Sequence, residues 1–405
     1  MGEIRFDLLL MSAIFIVATF FTGQREKYEI NFTTKIILFL MLYVIVTIPF
    51  VEWPGSVLQN IENWVKCLAF YYFTIRIIDT KQRLRIFTYA FITVQIIRVI
   101  EPVYLHLADG YWGSFASMQN WEYMNRLAGA PHDIINPNGL AHVILTVLAF
   151  IYYFHNMTPC SRFMFYIIAP ALLYALILTG SRSGMIGLLT IGIMYLYFSK
   201  KKILLVSIML FVLAMSAFYM QDDMKDRYAS IFDSSSQNRM TAEGRIAGMI
   251  TDIELSLRRP IFGHGLGTSL EANANYTGRY QISHNLYAEI AIELGLVGLM
   301  IFIAYIMSVI KNIIHTVRIE KKKHIHENFV TSFQQGMITW ILMNIVFSFA
   351  SYGLLSYEWY LFGGLSVVLL RICDTPEGND IANGNSSDLD SPAVKNATVV
   401  YGIMR

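Results

Sequence analysis

The sequence predicts an all-α, polytopic membrane helix bundle with one large loop outside the membrane that carries short helices. Three observations predict it. Hydrophobic residues make up 55% of the 405 positions and charged residues 15%, against about 25% charged in ordinary soluble domains. The apolar residues gather in continuous blocks of roughly twenty, the length that crosses a bilayer core as a helix. Lys and Arg then fall in alternate connectors between blocks, as the positive-inside rule requires. The blocks do not alternate residue by residue as a membrane barrel would. A secreted, fibrous or disordered chain is excluded, and so is a soluble nucleic-acid binder. The net charge of +2 is too small to indicate a partner.

Eleven spans can be marked in order: approximately 4–22, 34–52, 57–79, 85–105, 138–155, 162–180, 183–199, 202–220, 284–310, 329–351 and 355–373. The first block lacks a small-residue cleavage site and is read as an anchor. Connectors with Arg25, Lys27 and Lys35, with Lys81, Arg83 and Arg85, with Lys200–Lys202, and with Lys311, Arg318 and Lys321–Lys323 are expected in the cytoplasm. Those at 52–57 and 352–357 carry no Lys or Arg and are expected outside. The N-terminus would then lie outside and the C-terminus inside.

Residues 1–373 therefore form one transmembrane domain with two long outside loops. The first, 106–137, is aromatic, with Tyr111, Trp112, Phe115, Trp121 and Tyr123; the second, 221–283, holds Lys225 and six arginines. The tail, 374–405, is rich in Asn, Ser and Asp and is expected to be a disordered cytoplasmic segment. Cys67, Cys160 and Cys373 show neither Cys-x-x-Cys nor Cys/His ligand spacing, so neither a disulfide framework nor a metal site is expected. No internal repeat of the transporter kind is found.

Several residues could carry chemistry. In the second loop, Ile246, Met249, Ile250, Ile253 and Leu257 recur at helical spacing until Pro260, which describes an amphipathic helix lying on the membrane or on the bundle. Arg245 falls in its first turn, where free N–H groups and a guanidinium suit an anion; a solvated arginine is the plain alternative. Pro260-Ile-Phe-Gly-His-Gly-Leu-Gly267 is either a tight turn or a phosphate cradle, without the Lys-Ser/Thr of a P-loop. Its His264 is a weak candidate and is expected to be dispensable. Ser283 is an expected N-cap that places His284 at the first helical position. There His284 could take a proton at neutral pH or simply cap the helix. Arg182, in Gly180-Ser-Arg-Ser-Gly184, sits at the lip of a helical hairpin. A charge there faces a wet cavity or snorkels to lipid phosphate. Arg98 and Glu101, three apart, are expected to pair along one helix, with lining of the same cavity as the alternative. Asn136-Pro-Asn-Gly139 reads as a turn into a span.

Taken in order, these motifs resemble a known family. Arg126-x-x-Gly, Asn136-Pro-Asn, Gly-Ser-Arg-Ser-Gly, Gly244-Arg245, Pro-x-x-Gly-x-Gly-x-Gly, and Ser283-His-Asn with Glu and Gly downstream look like the O-antigen ligase and polymerase superfamily. Its members are bacterial inner-membrane glycosyltransferases of the GT-C type, and the match spans roughly 120–310. The resemblance implies a bundle of eleven or twelve spans and a glycan donor carried on undecaprenyl diphosphate at the periplasmic face. The acceptor would be a second lipid-linked glycan for a polymerase or the lipid A core for a ligase. Arg182 and Arg245 would hold the diphosphate and His284 would activate the acceptor hydroxyl. Arg126, Asn138, Ser181 and Asn285, lying in the matching motifs, are further substrate-binding candidates. No cofactor or metal is expected, and membrane lipids and a chain-length regulator are the expected partners. Asn-Pro-Asn and the aromatic first loop favour a polymerase. A lipid-linked oligosaccharide flippase is the alternative from another class, but its charges should sit near mid-membrane.

Overall fold

The computed structural model describes residues 6–21, 30–113, 125–133, 135–203, 206–207, 239–278, 280, 282–323, 327–351 and 353–374. Twelve helices are labelled here in chain order: α1 (Phe6–Ile16), α2 (Phe32–Thr47), α3 (Pro54–Ile77), α4 (Lys81–Asp109), α5 (Pro137–Phe154), α6 (Pro159–Thr179), α7 (Arg182–Phe198), α8 (Arg239–Arg258), α9 (Ser269–Thr277), α10 (Leu286–Lys323), α11 (Asn328–Phe347) and α12 (Tyr357–Asp374). Among the described residues there is no strand. Every expected span except 202–220 coincides with a helix. The expectations for 202–220, for much of loops 106–137 and 221–283, and for most of the 374–405 tail fall outside the described residues.

Six of these helical stretches are long and apolar enough to cross a membrane, fewer than the eleven spans expected. Physical reasons separate the others. α7 and the Leu10–Thr19 stretch are apolar but short. α3 carries Glu62, Lys66 and Arg76, with Lys66 paired to Glu62 at 3.0 Å, and these charges dilute its hydropathy. The chain is an integral membrane protein.

Local sequence sets the helix ends. Thr158 and Ser161 form a reciprocal capping box ahead of α6, with Pro159 at its first position. Gly180, left-handed at φ 57°, closes α6. Ser181 opens α7 by accepting from the Gly184 N–H at 3.1 Å. Asn136 caps α5 through its bond from Gly139 N–H at 2.8 Å, with Pro137 next. The turn read from Asn-Pro-Asn-Gly is thus the start of a span.

At the centre lies α5, packed against α4, α6, α7 and α11, while α12 packs on α3 and α10. Small residues allow close approach where large ones face them. A Cβ at Gly336 would lie 2.4 Å from the Phe150 ring, and one at Gly187 would lie 2.5 Å from Leu145. Without a hydrophobic drive between spans in lipid, this kind of contact is what holds them together. Trp340 stacks on Phe362 at 3.7 Å between ring centres.

The connectors expected outside all share one end of the bundle. There the α2–α3 connector bonds the Gly-rich turn, with Glu52 and Trp53 N–H both donating to the His264 carbonyl. At the same end Leu127 N–H donates to Leu178 O at 2.8 Å, and Gly353 N–H donates to Glu289 Oε2 at 2.8 Å. At the opposite end Lys81 pairs with Glu327 at 2.5 Å, joining two of the Lys-rich connectors.

Candidate functional site

One cluster forms around the α6–α7 hairpin. Arg126 is 4% exposed, and its Nε donates to Thr179 O at 2.8 Å while Nη2 donates to Asn138 Oδ1 at 2.9 Å. A guanidinium at the end of α6 meets one of the carbonyls that a helix terminus leaves without a helical partner. Ser181 is fully buried, and its Oγ lies 3.1 Å from that of Ser183. Arg182 follows as the first residue of α7, half-buried at the lip. Arg126, Asn138, Ser181 and Arg182 thus come together from three chain segments. In this group Arg126 and Asn138 hold the frame, and Arg182 is the partly exposed cation.

A second cluster surrounds the start of α10. Here the expected cap is corrected. Asn285, not Ser283, caps the helix: its Oδ1 accepts from Tyr287 N–H at 2.9 Å and Ala288 N–H at 3.2 Å. Ser283 lies further from the helix start than a cap does, and its hydroxyl is turned to α8, donating to Asp252 Oδ2 at 2.7 Å. His284 accordingly lies just before the helix, half-buried, and not at its first position. Asn285 is 4% exposed, with its side-chain oxygen engaged as the cap.

Two buried carboxylates downstream brace this region. Glu289 accepts from Gly353 and Leu354 N–H, fixing the α11–α12 connector. Glu293 accepts from Gly267 N–H at 2.8 Å and Ser269 N–H at 3.3 Å, placing a negative group at the start of α9. Two turns into α10, Gly295 breaks the helix at φ 72°. The break releases backbone groups, and the Gly-rich turn takes them. His264 N–H donates to Ile292 O at 2.8 Å, Gly265 N–H to Glu293 O at 2.9 Å, and Leu296 N–H to Pro260 O at 2.7 Å. A Cβ at Gly263 would lie 2.3 Å from Glu293 O. Close packing on a broken span accounts for the repeated glycines; the turn works as a brace.

Three other expectations change. Arg98 pairs with Asp133 across the first loop, Nε to Oδ2 at 2.7 Å and Nη2 to Oδ1 at 2.8 Å, whereas Glu101 is exposed. A bidentate fork on a carboxylate outcompetes a helix neighbour. His264 is fully buried and bonded to Glu52 Oε2 at 2.6 Å and Leu255 O at 3.2 Å, so it is built into the framework of the turn. Burial works to raise the Glu52 pKa, but hydrogen bonds from Tyr276 and His264, with Arg259 nearby, outweigh it and lower the value. Finally, α8 begins at least six residues before Arg245, which lies inside the helix and not in its first turn. The Arg245 side chain is outside the described residues.

The face of α8 that packs inward is polar at its centre: Asp252, Leu255 and Ser256 are buried, while Ile250, Ile253 and Leu257 are 54–60% exposed. The apolar stripe read from the sequence thus points away from the bundle. Asp252, which the sequence reading missed, is joined to Ser283 across 31 positions, a separation that no local pattern reveals. His142, also missed, lies one turn beyond Asn138 on α5 and bonds Asn344 Oδ1 at 2.8 Å.

The two clusters share the same end of the molecule and are bridged by the end of α11. Tyr287 Oη donates to Ile345 O at 3.0 Å, and a Cβ at Gly187 would lie 3.6 Å from the Phe347 ring. Chemically, the ensemble offers a cation at a helix start, a half-buried imidazole and a rigid polar frame at one end of the bundle.

Residues 166–303, about a third of the chain, match the family model described as O-Antigen ligase. The match agrees with the superfamily resemblance carried by the motifs, and covers Ser181, Arg182, Arg245, His284 and Asn285 but not Arg126 or Asn138. No curated protein matches the chain. The match supports a membrane glycosyltransferase of the O-antigen ligase and polymerase type, a class that takes a lipid-linked glycan and an acceptor.

Proposed function

We propose that the chain transfers a glycan from undecaprenyl diphosphate to a sugar hydroxyl at the periplasmic face of the bacterial inner membrane, as a polymerase of lipid-linked repeat units. The observation that carries this reading is the hairpin, which sets Arg182 at the start of α7 beside the buried Arg126 and its partner Asn138, at the same end of the bundle as His284. Arg182 and Arg245 bind the donor diphosphate. His284 takes the proton from the acceptor hydroxyl as its oxygen bonds to the anomeric carbon. The carbon–oxygen bond to phosphate breaks, and the diphosphate leaves with the electron pair, its charge met by the guanidiniums. In this scheme the arginines supply the positive charge and no metal is needed.

The description of the matching family favours a second reading, transfer to the lipid A core by a ligase. Purified, reconstituted protein given lipid-linked oligosaccharide with and without lipid A core separates the two. Longer glycan on the lipid carrier supports polymerisation; glycan on the core supports ligation. The residue roles are tested in the same assay. His284→Ala should lower turnover by about two to four orders of magnitude while donor binding survives. Arg182→Lys, which keeps charge but loses the planar fork, should weaken transfer strongly at unchanged protein abundance. Near-normal turnover in His284→Ala would reject the base.

A further inference from the structure

Asp252 is 4% exposed, and among the described residues its carboxylate receives no arginine or lysine. Its bonds are from Ser283 Oγ at 2.7 Å and Asn273 Nδ2 at 3.3 Å. Burying a carboxylate is costly unless it is well bonded, and burial raises its pKa against the two hydrogen bonds that lower it. Such a group calls for an account, and its position provides one. Ser283 immediately precedes His284. Its oxygen also accepts from Asn285 N–H at 3.4 Å and lies 3.2 Å from Asn285 O, so it organises the backbone just after His284. On the other partner, Asp252 and Arg245 are seven positions apart in one helix, at register positions that share a face.

We propose that Asp252 is a positioning residue: through Ser283 it clamps α8 to the segment before α10 and so fixes the helix that carries Arg245 against His284. This rests on the functional reading above, in which Arg245 grips the donor and His284 serves the acceptor. Asn273 completes the clamp by tying α9 to the same carboxylate, and it also donates to Ser269 O at 3.2 Å. The device acts on alignment, because Asp252 itself is buried and its oxygens are occupied by protein donors. Misalignment of reacting groups by about 1 Å costs on the order of a hundredfold in rate.

The test uses the full chain reconstituted in lipid vesicles, with lipid-linked oligosaccharide extracted from the producing strain as donor. Asp252→Ala should lower kcat by about 10- to 100-fold with donor KM changed less than about threefold. Ser283→Ala should give a loss of similar size, and the double variant should be no worse than the more damaged single one, since both remove the same link. Asp252→Asn should recover most of kcat, because its amide oxygen still accepts from Ser283. Should Asp252→Ala fail to fold, Ser283→Ala and Asp252→Asn decide the matter. Wild-type kcat in Ser283→Ala, additive losses in the double variant, or an Asp252→Asn no better than Asp252→Ala would overturn the proposal. Normal turnover in His284→Ala would instead sink the base role, and the non-additivity of positions 252 and 283 would be read independently of it.

Discussion

At the scale of single residues, polar side chains at the loop end divide into those that hold the frame and those left facing outward. Arg126 is the clearest case of the first kind. Arg126→Ala would leave the buried Thr179 O without its donor and the half-buried Asn138 Oδ1 without its partner, and should destabilise the protein by about 2 kcal/mol, read as a lower melting temperature in detergent. Arg126→Lys should recover only part of this, since an ammonium cannot serve both acceptors as a fork does. Glu52 gives a prediction in pH. Its lowered pKa means the ionised form is favoured by folding, so its contribution is full above the unfolded value of about 4.3 and is lost as pH falls through the folded one. The melting-temperature advantage of wild type over Glu52→Gln should therefore persist at neutral pH and shrink in acid. An advantage that grows in acid would contradict the bonding described. Residue types at this scale were legible in the sequence, but their partners were not. Arg98 had a nearer charge at Glu101 and took Asp133, because a bidentate contact across a loop cannot be read from spacing.

At the scale of elements, the break in α10 and the turn that fits it form one unit. Gly295→Ala would force a side chain into the left-handed region, at a cost of roughly 1–2 kcal/mol, and set its Cβ 2.4 Å from Ile261 O. A large loss of stability, or no folded protein, is expected. Gly248→Ala is the contrast: it lies inside α8 with nothing within 4 Å of its Cβ. It should be neutral or stabilise by up to about 1 kcal/mol. Equal melting temperatures for the two variants would show that the break is not braced as described. Helix ends were largely legible, because Asn136, Thr158, Gly180 and Ser181 act through neighbours in sequence. Ser283 misled for the opposite reason: its partner lies on another helix.

At the scale of the whole molecule, the Lys/Arg pattern predicts two sets of connectors, and Lys81 with Glu327 joins two of the basic ones. What pattern alone missed is that the apolar stripe of α8 points away from the bundle, since lipid and protein core select the same residues. Reporter fusions at Lys201 and Lys322 should report cytoplasm, and one at Asn275 the outside; a cytoplasmic signal at Asn275 would put the candidate site on the wrong side of the membrane for the proposed donor. The pairing of the Pro260–Gly267 turn with α10 also bears on how the protein is made. Backbone groups freed at Gly295 cannot be left bare in lipid, so the span needs its partner when it enters. The turn stands some thirty residues earlier in the chain, and at ordinary rates of synthesis it leaves the ribosome a few seconds sooner. Chain order therefore delivers the brace before the helix that requires it, and swapping the two in a permuted gene would set biogenesis, more than final stability, at risk.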